Sequence, residues 1–209
     1  MMSEYTLNML LPLTKSQSFI ENHLPWRGES VTVDLSRMHT EFVNMPHGNI
    51  ARWPSYLFPD MAADLSKPWI SVPPSEELSY QFNTKILIGR TSRYNNPRIS
   101  FWFLREHQDD LVFVGTEKEN QDFNSEWGLN IPYLKAYSFF HLAQVVNSCK
   151  FFVGGQSFIF SLAEALKVPR ILEVCEFAQN VHPCGGKAYE FLYQNALEYY
   201  FSTLRNEMP

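Results

Sequence analysis

The feature that most constrains this chain is a recurrence of short apolar runs at residues 86–88, 111–114, 151–153 and 171–174, with a weaker one at 131–133. Runs this short, with little polar alternation, suit strands buried on both faces. Between them the spacing turns helical. Phe139, Leu142, Ala143 and Val146 fall at i, i+3, i+4 and i+7, and so do Ile159, Leu162, Ala163 and Leu166. Tyr189, Leu192, Tyr193 and Ala196 repeat the pattern in an expected last helix. Strands alternating with helices require right-handed crossovers, which produce a parallel sheet covered by helices on both faces. The expected fold class is therefore α/β, a doubly wound, Rossmann-like parallel sheet over residues 85–209. Such sheets bind ligands outside the C-terminal ends of their strands.

The chain before this is less regular. Residues 1–75 read as a partial α/β region, with a possible strand at 31–35 and a helix opened by Pro54, a favoured first-turn residue. Pro68, Pro73 and Pro74 hold their neighbours extended, and residues 76–84 complete a linker to the sheet domain.

Composition sets outer limits. Of 209 residues, 45% are apolar and 15% aromatic, enough for one or two cores, and no long run of one charge sign suggests disorder. The apolar run at 9–13 is interrupted by Pro12 and followed by Lys15, far short of a bilayer span. The start lacks the basic and apolar regions of a secretory signal, so a cytoplasmic location is expected. Three cysteines are too few for a disulfide framework and fit a reducing compartment. Cys175, His182 and Cys184 lack a CxxC pair or a second histidine cluster, so they read as loop or core residues, with no metal or cofactor expected.

A net charge of −5 argues against nucleic acid as a partner. The charge is unevenly spread, however: residues 85–105 hold Lys85, Arg90, Arg93, Arg98 and Arg105 and no carboxylate. That segment implies a local anion site. Arg90 and Arg93 follow the 86–88 strand directly, where guanidinium groups can fork onto a diphosphate; pairing with surface acids is the alternative.

The second site segment is Phe151, Phe152, Val153, Gly154, Gly155, Gln156 and Ser157, leading into the helix of Ile159 to Leu166. Two glycines permit a sharp turn and close approach, and Gln156 or Ser157 can cap the helix. Free amides at a helix start suit a phosphate, although an unoccupied tight turn has the same sequence. Glu117 follows the 111–114 strand and can either accept from two ribose hydroxyls or complement a helix dipole. His182 lies in a loop with Gly185 and Gly186, as a proton donor or simply exposed. Asp34, at the end of the 31–35 run, reads as a helix cap before it reads as a catalytic base.

The 151–173 stretch resembles the C-terminal segment of the family 9 glycosyltransferases, the ADP-heptose heptosyltransferases. That pattern runs apolar strand, Gly-Asn-Asp-Ser/Thr-Gly, Met-His-Leu-Ala-Ala-Ala-Leu, Gly-Val-Pro. Gly154, Ser157, Leu162, Ala163, Ala165, Leu166, Val168 and Pro169 keep it, whereas Gln156, Phe158 and Ser161 stand where the family has Asp, Gly and His. The resemblance implies the C-terminal half of a GT-B fold preceded by a reduced or truncated first domain. It further implies a nucleotide-diphosphate sugar held by Gly154, Gly155, Gln156, Ser157, Arg90, Arg93 and Glu117, and metal-independent transfer to a saccharide acceptor. The acid that heptosyltransferases carry near their N-terminus has no counterpart here, so the resemblance assigns no catalytic residue, acceptor or oligomeric state. Two alternatives remain open: a non-catalytic binding or assembly module that keeps the fold, and an enzyme resembling the UDP-sugar 2-epimerases, which share a related glycine-rich turn.

Overall fold

A computed structural model describes residues 3–40 and 48–207 of the chain. Six strands, β1 (Ile86–Gly89), β2 (Leu111–Val114), β3 (Tyr133–Leu134), β4 (Phe151–Gly154), β5 (Arg170–Glu173) and β6 (Ala188–Phe191), form one sheet. Their order is β3-β2-β1-β4-β5-β6, with every neighbouring pair parallel. This is the doubly wound order in which the winding reverses between β1 and β4, opening a crevice at their C-terminal ends. The α/β class read from the sequence is the fold observed.

Side chains alternate across the sheet, and each face buries its own core. Leu87, Val112, Val114, Phe152 and Leu172 pack toward α1 (Glu4–Lys15), α3 (Glu76–Phe82), α5 (Phe139–Ser148) and α6 (Phe158–Leu166). Ile86, Ile88, Phe113, Phe151 and Ile171 pack the other way, toward α4 (Glu117–Trp127), α7 (Gln194–Asn206) and the 3-10 turns of Trp102–Asp110. Each fully buried Leu, Ile or Phe contributes about 1.5–3 kcal/mol, so both layers are needed to hold the sheet.

Three local expectations need correction. The helix expected from Tyr189 to Ala196 is split between β6 and the start of α7. Tyr189 pairs with Ile171, the Val174 amide donates to the Phe191 carbonyl at 3.0 Å, and Tyr193 is the extended N-cap of α7. Helical spacing there spans a strand-to-helix junction because β5 gains a ladder partner. The expected strand at 31–35 does not form. Val31 and Val33 are exposed, and Leu35 begins a 3-10 turn, Leu35–His39, capped by the Asp34 carboxylate. Alternating apolar residues make no strand where no edge is offered to them. The expected linker at 76–84 is mostly helix, α3, with Ser75 as its N-cap and Phe82 in the core.

The region before residue 76 contains no strand among its described residues. It lies instead against the sheet domain. α1 packs on α5, and the Gln17 side chain exchanges two hydrogen bonds with the Ser71 backbone, at 2.9 and 3.0 Å. Pro54 opens the short α2 (Trp53–Leu57), as expected. The Ile50 amide donates to the Asn180 carbonyl at 2.7 Å, and the Trp69 amide to that of Ala165 at 3.0 Å. Among the described residues, no helix is long and apolar enough to cross a membrane.

At the crevice β1 and β4 approach so closely that a Cβ on Gly154 would stand 2.1 Å from the Gly89 carbonyl oxygen. The obstacle is backbone, so the strands themselves must part to admit a methyl group. Gly154→Ala is expected to destabilise the protein by at least about 2 kcal/mol in equilibrium urea unfolding, whereas Gly186→Ala, which meets nothing within 4 Å, changes it by less than about 0.5 kcal/mol.

Candidate functional site

The crevice is built from the loop after β1 and the bend after β4. Gly89 and Gly154 are register partners, and the Gly155 amide donates to the Gly89 carbonyl at 3.1 Å. The two glycines thus serve the strand junction itself, Gly154 by lacking a Cβ and Gly155 through an amide already engaged. The sharp turn expected of the two glycines is present, and the Gly155 amide is engaged within it by the Gly89 carbonyl. The donors lie one step further on. Ser157 is the N-cap of α6, its Oγ accepting from the Phe160 amide at 3.2 Å. The amides of Phe158 and Ile159, in the first turn, have no partner within the helix and carry the positive end of its dipole.

The arginines divide. Arg90 is buried, its Nε and Nη2 donating to the two oxygens of Glu173 at 2.8 and 3.0 Å. Nη1 lies 3.5 Å from Glu126, and the guanidinium covers the Phe101 ring at 5.1 Å. Its fork is filled by Glu173, which corrects the expectation that Arg90 holds an anion. Glu173 is fully buried at the end of β5 and also accepts from the Asn96 amide at 2.7 Å. Of the other cations in the acid-free segment, Arg98 pairs with Glu176, Lys85 donates to the Asp109 carbonyl and Arg105 to that of Trp127. Arg93 is different. It is exposed, 5.8 Å from the Tyr94 ring, and its guanidinium meets no carboxylate among the described residues.

Two cavities meet at this point, sharing Arg93, Gln156, Ser157 and Phe158. The larger, about 460 Å³, adds Glu117 and Tyr133 from the β2 and β3 ends, and Tyr5 and Met9 from α1. Burial, and next the charge of Glu117, pushes the Tyr133 phenol above its ordinary pKa, in keeping with their proximity. Glu117 is the first residue of α4, but the capping is done by its neighbours: Thr116 and Glu119 form a reciprocal capping box. The Glu117 carboxylate meets no protein donor among the described residues, and so faces the cavity unengaged. The second cavity, about 300 Å³, is closed by Asn49, Leu65 and Trp69 from the N-terminal region and by His182.

Gln156 ties the bend to the following loop, its Nε2 donating to the Ala178 carbonyl at 2.8 Å and to Asn180 Oδ1 at 3.1 Å. Its Oε1 is buried without a partner. His182 is held through Nδ1 by Glu190 at 3.0 Å. Asp34 is remote in role: hydrogen bonds from the Ser36 side chain and backbone hold its carboxyl below the usual range, and it caps a turn. Cys149 and Cys175 are buried and Cys184 half-buried; burial pushes the Cys149 thiol up to about 12. Sequence reading missed Glu173, and also Glu164, whose buried carboxylate is met by Lys167, Arg170 and the Cys184 amide. The signal for Glu173 was available: an acid in an apolar strand, opposite an arginine with no acid near it in sequence.

No protein-family model matches this sequence, and no curated protein matches it. Among solved structures, the chain is similar to a family 9 glycosyltransferase from Veillonella parvula DSM 2008, with 14% identity and a TM-score of 0.44 over 75% of this chain and 52% of that one. It is also similar to the ADP-heptose LPS heptosyltransferase II of E. coli, with 16% identity and a TM-score of 0.46 over 70% of this chain and 56% of that one. The chain therefore spans about half the length of the structures it matches. Both carry names of the family that the 151–173 stretch resembles. The fold itself rests on strand order and register, not on this likeness.

Arg90 and Glu173 make a stability prediction distinct from any binding role. Arg90→Ala strands a buried carboxylate and is expected to cost about 3–5 kcal/mol in denaturant unfolding. A loss below about 1 kcal/mol would contradict the buried pairing.

Proposed function

We propose that this chain binds a nucleotide-diphosphate sugar in the crevice beyond β1 and β4 and takes part in glycosyl transfer to a saccharide. The observation that carries the reading is Arg93, a cation that meets no carboxylate among the described residues, lining the same cavities as the capped N-terminus of α6. Diphosphate oxygens there accept from the Phe158 and Ile159 amides and from the guanidinium, a combination of main-chain dipole and charge-assisted donors. Glu117 on the far side of the larger cavity suits the two ribose hydroxyls, and Tyr133 and Phe158 offer flat apolar surface to a base.

In transfer by direct displacement, negative charge grows on the departing diphosphate. Arg93 and the α6 amides are already oriented there, so they stabilise the leaving group without reorganising. This arrangement assigns the work to protein donors, and turnover is accordingly expected to persist in excess chelator. A cytoplasmic location belongs to the same proposal, supported by three unpaired thiols.

A second reading, a binding module without chemistry, draws on Gln156, which stands where the resembled family has Asp and is occupied with structural hydrogen bonds. Product formation from donor and acceptor separates the two readings. For the binding step, calorimetric titration with UDP-, ADP- and GDP-sugars is expected to find at least one ligand whose affinity falls about 10–100-fold in Arg93→Ala. Absence of binding to all three classes, or an Arg93→Ala variant that binds like wild type, would overturn the proposal.

A further inference from the structure

The smaller cavity is lined by a histidine, paired with a carboxylate on β6, that the donor-binding role leaves unused. His182 lines it, together with Arg93, Gln156 and Ser157, which connect it to the diphosphate position. The His182 ring is 39% exposed and its Nδ1 stands 3.0 Å from Glu190 Oε2, on β6. A carboxylate on one ring nitrogen fixes the imidazole's orientation and leaves Nε2 as the atom able to take a proton. The backbone around it is fixed too. The His182 carbonyl accepts from Asn49 Nδ2 at 3.2 Å, and Gln156 reaches Asn180, two residues earlier.

The cavity's outer wall comes from the N-terminal region, through Asn49, Leu65 and Trp69. Lys167 Nζ covers the Trp69 ring at 4.5 Å. Indole and phenyl surface from Trp69 and Phe158, interspersed with the polar groups of Gln156 and Ser161, matches a neutral, hydroxyl-rich ring with apolar C–H faces. Among the described residues, the carboxylate on this wall is Glu164, which is paired with Lys167 and Arg170.

Resting on the donor site proposed above, we infer that this cavity is the acceptor subsite for a saccharide hydroxyl and that His182, positioned by Glu190, is the general base. The acceptor oxygen bonds to the anomeric carbon as that carbon's bond to the diphosphate oxygen breaks. The hydroxyl proton passes to His182 Nε2. The diphosphate leaves with the bonding pair, its new charge facing Arg93 and the α6 amides. Water in place of the sugar gives hydrolysis by the same step.

The test measures nucleoside diphosphate release from UDP-, ADP- and GDP-hexoses, with and without free monosaccharides, alongside calorimetric binding of UDP, ADP and GDP. His182→Ala is expected to keep nucleoside diphosphate affinity within about twofold while kcat falls about 100-fold or more, with partial rescue by added imidazole. Glu190→Gln is expected to lower kcat with donor KM unchanged, the mark of a positioning residue. Nucleotide binding without any release by wild type, or His182→Ala turning over like wild type, overturns the base assignment and leaves the donor site standing. Failure of wild type to bind any of the nucleotides removes both.

Discussion

A fully buried carboxylate, Glu173, fixes the ligand end of this sheet. Leaving it ionised without partners would be prohibitive, so the surrounding chain is arranged to meet it. Two guanidinium donors of Arg90 and the Asn96 amide converge on its oxygens from the loop after β1. β5 and that loop are thereby joined across the bend after β4, and a Cβ built on Gly155 would lie 4.0 Å from Glu173 Oε2. With residues 90 and 96 held, the intervening loop has little freedom, and Arg93 is carried at its outer edge.

This arrangement explains why two arginines three residues apart have opposite fates. Arg90 is spent inside, where its planar fork matches a carboxylate and its face covers Phe101. Arg93 remains at the crevice with its charge available. The helix start next to it is organised by Ser157, whose hydroxyl satisfies one orphan amide and leaves those of Phe158 and Ile159 without a partner within the helix. An anion arriving there meets a cation and a dipole, while carboxylates at Glu119 and Glu164 are occupied by their own partners. The N-terminal region then serves as wall material: Tyr5 and Met9 close one cavity, and Asn49 and Trp69 close the other.

Much of the sheet was legible because buried parallel strands are written as apolar runs. Those at 86–88, 111–114 and 151–153 match β1, β2 and β4 to within a residue, and β5 begins one residue early, at Arg170. Arg170 is fully buried through pairing with Glu164, and no local pattern announces a charge inside a strand. β6 was hidden because Ala188–Phe191 runs into α7 with helix-like spacing, and only the exposed edge of β5 decides between the two. At the site, Ser157, Arg93 and Glu117 do share a cavity, as their strand-end positions implied. Arg90 does not take the expected part, since its guanidinium is consumed by Glu173, and the Gly155 amide is engaged by the Gly89 carbonyl, both contacts distant in sequence.

The central claim is that diphosphate oxygens rest on the first turn of α6 opposite Arg93. The most direct measurement is an amide-resolved NMR titration with UDP, ADP and GDP. The account predicts saturable shifts led by the Phe158 and Ile159 amides and by Arg93 Nε–H, with those of Arg90 and Gly155 nearly unmoved. Saturable shifts confined to other surfaces, or none at millimolar nucleotide, would contradict it.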